Sequence, residues 1–331
     1  MSVMKQQAGM GIMFALITAM SWGSLPIAMK QVLPVMDPIT VVFYRFSLAA
    51  LGLGAILLVK RQLPPLKFFR SPGWVLLVLV ATAGLVGNFV LFGSSLQYLS
   101  PTASQVIAQL APPGMMLASV FILKEKMRIN QVLGVMILLC GLVMFFNTSL
   151  LEIFTRLTDY TWGVLLGVSA AMVWVVYGVT QKILLRRLAS QQILFMLYTL
   201  CAVALLPLAR TELIWQLDSW QVGCLLFCAL NTLVGYGALA EAFARWQASQ
   251  VSAIVTLTPL FTLLFSELLS FGWPDFFAIP TLNTLGFVGA IVVVSGAMFS
   301  AIGHRLWPRR SYPVPVPPAS GHGRMSDGEV K

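Results

Sequence analysis

Charged residues are scarce in this chain of 331 residues. Asp, Glu, Lys and Arg make up 10% of it, against about 25% in a soluble globular domain. Hydrophobic residues account for 58%, and the mean hydropathy is +0.87. Apolar runs of about 20 residues recur along nearly the whole chain, with most charges confined between them. A large soluble protein does not show this pattern, so the sequence predicts an all-α integral membrane protein.

Residues that hold metals or perform covalent chemistry are also few. The two histidines, His304 and His322, lie at or beyond the last apolar segment, and the four cysteines form no C-x-x-C motif. Structural zinc, a disulfide framework and an intramembrane enzyme site are therefore not expected. The G-x-x-x-x-G-K-S/T signature of ATP binding is absent as well. We expect no cofactor, no metal and no enzymatic activity, and any transport would use an ion gradient or the solute's own gradient.

Ten apolar segments are long enough to cross a membrane as helices. The predicted segments are 12–29, 39–59, 74–97, 101–123, 131–148, 161–183, 191–209, 219–243, 250–270 and 282–303. With the N-terminus inside, 17 of the 21 Lys and Arg residues fall in the inner loops and termini. Because basic residues favour the cytoplasmic side, both termini are predicted to be cytoplasmic. This topology explains the net charge of +10 without a nucleic-acid partner, and the basic inner surface favours anionic lipid.

One hairpin organises the chain. Ser100 and Pro101 provide an N-cap and a first helical residue between segments 3 and 4, so the turn is predicted to be tight. Segment 4 then carries polar or helix-breaking residues on one face, namely Thr102, Gln105, Gln109 and Pro112. At an offset of 147 these positions fall on Ser249, Ser252, Thr256 and Pro259 in segment 9.

Two tetrapeptides repeat in the same manner. Ala-Met-Ser-Trp at 19–22 is echoed by Ala-Met-Val-Trp at 171–174, and Ala-Ser-Gln-Val at 103–106 recurs at 248–251. We therefore predict two five-helix repeats, 10–148 and 160–303, followed by a disordered cytoplasmic tail at 304–331. A repeat with an odd number of spans must be inverted in its second copy, so equivalent helices would meet near the membrane midplane.

This symmetry gives a set of candidate cavity residues. Depth along the segments and the repeat offsets select Trp22, Asn88, Gln105, Gln109, Trp174, Tyr177, Asn231, Thr256 and Thr258. The aromatic residues could stack on a solute or pack within the bundle. The polar residues could bind solute or serve as hydrogen bonds between helices. The prolines Pro112, Pro113 and Pro259 are predicted to kink their helices.

Three charged residues, Arg45, Glu241 and Glu267, are the charges predicted to lie deepest in the membrane, and they are candidates for gating or coupling. Arg45 and Glu267 have a similar predicted depth, so we expect that they pair or that one of them gates the outer mouth. Glu241 lies four residues before Arg245, which allows an i,i+4 ion pair. A proton-coupling role for Glu241 is the alternative.

The hairpin from Gly84 to Pro113, Lys-Glu-Lys at 124–126, the echo at 236–259 and Phe-Tyr-Arg-Phe-Ser-Leu-Ala at 43–49 resemble a known family. These are features of the two EamA domains of the drug/metabolite transporter superfamily, and the resemblance covers about residues 10–303. It implies a bacterial inner-membrane carrier that exports amino acids, other metabolites or toxic compounds, with a cavity lined by helices 1, 3, 4, 6, 8 and 9. Lys124 stands where the family has glycine. In the second half Gly272 occupies the position equivalent to Glu125, and the acidic residue comes earlier, at Glu267. The role of the family's second-half glutamate is therefore not carried over.

We therefore expect a secondary transporter that exports small organic solutes across the bacterial inner membrane by alternating access, with a proton or another ion as a possible coupling partner. Zwitterionic or weakly polar solutes such as amino acids fit a cavity with few charges. An importer and a non-transporting scaffold or assembly subunit are the alternatives.

Overall fold

A computed structural model describes residues 2–65, 68, 70–123, 129–274, 276–277 and 282–306. Every longer regular element in these ranges is an α-helix. The helices are α1 (Ser2–Val32), α2 (Pro38–Val59), α3 (Pro72–Tyr98), α4 (Pro101–Ala108), α5 (Ala111–Leu123), α6 (Ile129–Phe145), α7 (Leu150–Thr155), α8 (Asp159–Leu184), α9 (Ser190–Leu205), α10 (Ser219–Arg245), α11 (Ala248–Val255), α12 (Thr258–Gly272) and α13 (Thr284–Leu306). A short 3-10 helix spans Thr211–Gln216.

The all-α membrane class is confirmed. In the described part of the chain, seven helices or helix pairs are long and apolar enough to cross a membrane. The helices α6 and α9 are apolar but shorter, with 17 and 16 residues. Each of the ten predicted segments overlaps a helix or a pair of consecutive helices. The short α7 and the 3-10 helix lie between predicted segments and were not expected.

Local sequence sets several helix starts. Ser100 is the N-cap of α4, where its side chain accepts a hydrogen bond from the Ala103 N–H at 3.2 Å, and Pro101 is the first helical residue. Asp37 caps α2 in the same manner, 3.1 Å from the Thr40 N–H. Because only two residues separate Tyr98 from Pro101, α3 and α4 form the tight hairpin that the sequence predicts.

Two predicted helices are each interrupted. Segment 101–123 is split into α4 and α5 at Gln109 and Leu110, and segment 250–270 is split into α11 and α12 at Thr256 and Leu257. Proline cannot donate the backbone hydrogen bond that a continuous helix requires, and its ring crowds the preceding turn. Each break therefore lies just before a proline, at the same position of the two halves.

Helix packing follows one pattern in both halves. The most extensive contacts join α6 to α13, α3 to α8, α1 to α10 and α2 to α9. If the two halves are exchanged, α6 and α13 swap with each other, as do α2 and α9, whereas the α3–α8 pair becomes the α10–α1 pair. The set of contacts is therefore unchanged by the exchange, as expected for two copies of one unit.

Glycines bring the α6 and α13 backbones together. A Cβ atom at Gly289 would lie 2.4 Å from the backbone N of Phe145, and one at Gly296 would lie 2.4 Å from that of Leu138. Small residues allow such close approach in membrane helices, where van der Waals contact rather than hydrophobic burial holds helices together. The α6–α13 interface thus depends on the absence of side chains at these positions.

The C-terminal boundary differs slightly from the prediction. The tail was predicted from residue 304, but α13 continues to Leu306. Residues 307–331 of the predicted disordered tail lie outside the described residues, as does the Lys-Glu-Lys sequence at 124–126.

A candidate solute cavity

A cavity of about 680 Å³ lies between the two halves of the bundle. Its walls include residues of α1, α3, α4, α5, α8, α10, α11 and α12. These helices form predicted segments 1, 3, 4, 6, 8 and 9, the six that the family resemblance implies. Residues of α2, α6 and α13 also line the cavity. Eight of the nine predicted cavity residues line it: Trp22, Asn88, Gln105, Gln109, Trp174, Asn231, Thr256 and Thr258. The fold therefore brings together positions that are more than 200 residues apart in the chain.

Both interrupted helices reach the cavity at their breaks. Gln109 and Thr256 are the C-terminal caps of α4 and α11, and each is 7% exposed. Pro112 and Thr258, from the first turns of α5 and α12, also line the wall. Broken helices bring backbone donors, backbone acceptors and helix-dipole ends to one place, as they do in many carriers.

The α1 helix contributes backbone carbonyls that other helices satisfy. Pro26 lies inside α1 and cannot donate to the carbonyl of Trp22, four residues earlier. The Gln105 side chain of α4 donates to this carbonyl at 2.7 Å. The Asn231 and Thr262 side chains donate to the neighbouring carbonyls of Ser21 and Gly23, at 2.6 and 2.8 Å. These bonds fasten α4, α10 and α12 to the proline-containing part of α1.

Asn88 makes the corresponding contact in the other half. Its side-chain nitrogen donates to the Ala170 carbonyl of α8 at 2.9 Å. Asn88 and Asn231 therefore join the two equivalent helix pairs, α3 with α8 and α1 with α10. Both amides use hydrogen bonds to neighbouring helices, so holding the bundle together is the role that their geometry supports.

Thr258 compensates for Pro259. Its hydroxyl donates to the Val255 carbonyl at 2.6 Å, which is the carbonyl that a backbone N–H at position 259 would otherwise reach. The Thr256 hydroxyl similarly donates to the Ala253 carbonyl at 2.7 Å. At the first break the residues equivalent to Thr258 and Val255 are Ala111 and Ala108. Because alanine has no hydroxyl, this form of compensation does not occur there.

Gln109 differs from the other five polar residues predicted for the cavity, all of which donate hydrogen bonds to the protein. Within the described ranges its side-chain amide makes no hydrogen bond to the protein, although Gln105, one turn earlier, is bonded to Trp22. The amide faces the cavity with one acceptor and two N–H donors. It is therefore available for a solute.

Aromatic side chains form one side of the wall. The rings of Trp22 and Tyr236 are 5.1 Å apart between centroids, and Trp174 lies on the opposite half. Tyr236 was not among the predicted cavity residues. It belongs to a face of α10 formed by Thr232, Tyr236, Leu239 and Phe243, all of which line the cavity, and their spacing of four, three and four residues was the signal available in the sequence.

The prediction for Tyr177 is wrong. Tyr177 is 1% exposed, belongs to the packed core and does not line the cavity. Its backbone packs against Gly84 of α3, where a Cβ atom would lie 2.9 Å from the Tyr177 nitrogen. Three residues along a helix rotate a side chain by about 60° relative to Trp174. This rotation turns Tyr177 away from the cavity and into the bundle.

Arg45 lines the cavity and does not pair with Glu267. The Arg45 side chain is 3% exposed and donates to the Thr232 hydroxyl at 3.3 Å. Its guanidinium also lies 4.6 Å from the centroid of the Phe89 ring. Glu267 is exposed and lies outside the described lining. The predicted pairing is therefore wrong, because the two residues face different directions.

Glu241 and Arg245 form the predicted i,i+4 ion pair at the end of α10. Their side chains are 45% and 29% exposed, respectively, and neither lines the described cavity. Among the described residues, no group of three or more His, Cys, Asp or Glu side chains is placed to hold a metal ion.

Many membrane carriers are all-helical bundles with a cavity between two similar halves. The sequence model of the EamA-like transporter family matches the chain twice, at residues 9–147 and 161–299. The protein belongs to this family, within the drug/metabolite transporter superfamily.

Two relatives and one solved structure illustrate the likeness. The chain is 73% identical over 304 residues to the "Uncharacterized inner membrane transporter YhbE" of Escherichia coli K12, covering 92% of this chain and 95% of that one. It is 48% identical to an "Uncharacterized transporter" of Haemophilus influenzae, covering 93% and 100%. A crystal structure that is 18% identical superposes with a TM-score of 0.63 and covers 91% and 98% of the two chains, which supports the same fold.

Proposed function

We propose that this protein is a secondary transporter that exports small organic solutes, such as amino acids or related metabolites, from the bacterial cytoplasm by alternating access. The observation that carries this proposal is the shared cavity at the breaks of two equivalent helices, lined by both halves. The family membership supports transport, and the family resemblance favours the outward direction.

The proposed architecture has ten membrane-spanning helices in two inverted repeats of five, with both termini in the cytoplasm. It is supported by the two matches of the family model, the unchanged contact pattern on exchange of the halves, and the distribution of Lys and Arg. In this arrangement rocking of one half against the other would expose the cavity to each side in turn. The basic inner loops would bind anionic lipid, and a proton or another ion would couple transport to a gradient.

The cavity can be tested through its two break residues. Gln109→Leu combined with Thr256→Val removes polar groups from the wall and leaves the prolines in place. Each lost hydrogen bond to a solute should weaken binding about 2- to 10-fold. Counterflow in proteoliposomes loaded with a metabolite mixture, read by mass spectrometry, identifies a solute for the wild type and then measures the variant.

Gln97→Leu combined with Thr211→Val is a matched control, because both side chains are exposed and lie outside the described cavity lining. We expect a higher KM for the cavity variant and an unchanged KM for the control. A non-transporting scaffold would show no counterflow with any solute although the protein is folded. Uptake into cells that exceeds efflux would identify an importer instead.

A further inference from the structure

Arg45 is the sole side chain with a full charge among the described residues that line the cavity. It extends from α2 into the wall beside α3 and α10, and it is 3% exposed. Burying a guanidinium without a counter-charge is costly, because the charge loses its hydration. A cationic side chain inside a membrane ordinarily pairs with an anion, or it faces a cavity where water or a substrate can contact it.

The protein groups around Arg45 do not neutralise it. The guanidinium has five N–H donors, and it uses one for the Thr232 hydroxyl at 3.3 Å and one for the Met29 sulfur at 3.9 Å. Contact with the Phe89 ring adds a cation–π interaction. Over the described ranges, no carboxylate lies within 4 Å of Arg45. The charge and most of the planar donor set therefore remain available.

The charge is present in one half alone. The helix α2 begins at Pro38 and its equivalent α9 begins at Ser190, 152 residues later. The position equivalent to Arg45 is then Leu197, which is fully buried in the apolar core. An otherwise symmetric cavity therefore has one cationic point, which suits a ligand with a single anionic group.

The rest of the wall near Arg45 suits an apolar body. The rings of Trp22, Phe89, Trp174 and Tyr236 line the same cavity. Aromatic faces stack on flat or apolar groups, while a guanidinium fork matches the two oxygens of a carboxylate. A carboxylate on an aromatic or branched apolar body would satisfy both features.

We propose that Arg45 binds the carboxylate of the solute, so that the transported compounds are organic monocarboxylates, including amino acids, with an apolar or aromatic body. The inference rests on the proposed function only in naming the bound molecule as the solute. Arg45 is then a binding residue and selects carboxylates over neutral isosteres.

The test uses pairs of compounds that differ at one group. The probes are indole-3-acetate with indole-3-acetamide, N-acetylphenylalanine with its primary amide, and phenylalanine with phenylalaninamide. Binding to the purified full-length protein is measured by isothermal titration for the wild type, Arg45→Gln and Arg45→Lys. Arg156→Gln is the matched control, because it removes the same charge at an exposed position outside the described lining.

At least one acid should bind the wild type about 10- to 100-fold more tightly than its amide, the range expected for a charge-assisted hydrogen-bonded pair. Arg45→Gln should abolish this preference while leaving amide affinity within about threefold of the wild type. Arg45→Lys should retain part of it, and Arg156→Gln should retain all of it. If Arg45→Gln does not fold, the acid-to-amide ratio of the wild type and its reduction in Arg45→Lys decide the question.

Equal affinity for acids and amides in the wild type, or an undiminished preference in folded Arg45→Gln, would overturn the carboxylate site. Binding of neither compound of any pair would overturn it as well. Counterflow separates this result from the proposed function. Saturable counterflow of neutral solutes would leave transport standing without the anion site, whereas Arg45-dependent binding without counterflow of any bound acid would leave the site standing without transport.

Discussion

Substitution by leucine should affect stability at Gln105 and transport at Gln109, although the two glutamines are one helical turn apart. Gln105 and Gln109 are both 7% exposed and both line the cavity. Gln105 donates to the Trp22 carbonyl at 2.7 Å, and Pro26 deprives that carbonyl of its usual backbone donor. Gln109 has no such bond in the described part of the chain. Gln105→Leu should therefore destabilise the fold, and Gln109→Leu should impair transport without destabilising it.

The magnitudes follow from these contacts. Gln105→Leu removes one interhelical hydrogen bond, worth about 0.6–2 kcal/mol in membrane proteins. It also leaves a buried carbonyl without a donor, which brings the expected loss to about 1–3 kcal/mol. Gln109→Leu removes no hydrogen bond to the protein, so its stability should stay within about 0.5 kcal/mol of the wild type.

The assay is thermal unfolding of both variants in detergent, followed by size-exclusion chromatography, together with counterflow of the wild-type solute. Gln105→Leu should unfold several degrees below the wild type. Gln109→Leu should unfold with the wild type and show a raised KM. Equal unfolding temperatures for the two variants would refute the assignment of Gln105 to the support of α1.

Three further predictions concern packing, compensation and charge. Gly289→Ala should destabilise the α6–α13 interface by about 1–3 kcal/mol, since its Cβ atom would meet the Phe145 backbone. Gly223→Ala, which has open space around its Cβ position, should be neutral or slightly stabilising in the same unfolding assay. Thr258→Val should lower the free energy of unfolding by about 1–2 kcal/mol, because the Val255 carbonyl would lose its hydroxyl donor. Thr211→Val, at an exposed site, is the control and should leave it unchanged. Glu241→Gln should change stability by no more than about 0.5 kcal/mol, since it breaks a partly exposed ion pair. Net transport of the solute into proteoliposomes should keep its dependence on an imposed pH gradient; loss of that dependence would instead favour proton coupling at Glu241.

Much of the fold could be predicted from the sequence because a membrane imposes long apolar helices and confines charge to the loops. The equivalent positions of Gln109 and Thr256 also follow from the repeat. Proline chemistry indicates that the helices are disturbed near Pro112 and Pro259, but not that each is divided into two helices at the cavity. That outcome depends on what surrounds the freed carbonyls, as the Thr258 hydroxyl illustrates.

The direction in which a side chain points could not be predicted from the sequence. Sequence depth alone placed Arg45 and Glu267 at the same level, yet one points into the cavity and the other is exposed. Trp174 lines the cavity, whereas Tyr177, three residues later, packs in the core. The rotation of each helix about its axis is set by its neighbours, and close contacts such as that of Gly84 with Tyr177 fix it. No local pattern in the sequence records those contacts.

The central claim, that the shared cavity is the transport pathway, is tested most directly by filling it. Ala108 lines the cavity at the end of α4, and Ala108→Trp would place an indole in the space between the halves. Ala83→Trp adds the same side chain at an exposed position of α3 outside the described lining. Measured by counterflow of the wild-type solute with both proteins shown to be folded, Ala108→Trp should lose transport and Ala83→Trp should retain it. Wild-type counterflow by folded Ala108→Trp would contradict the account.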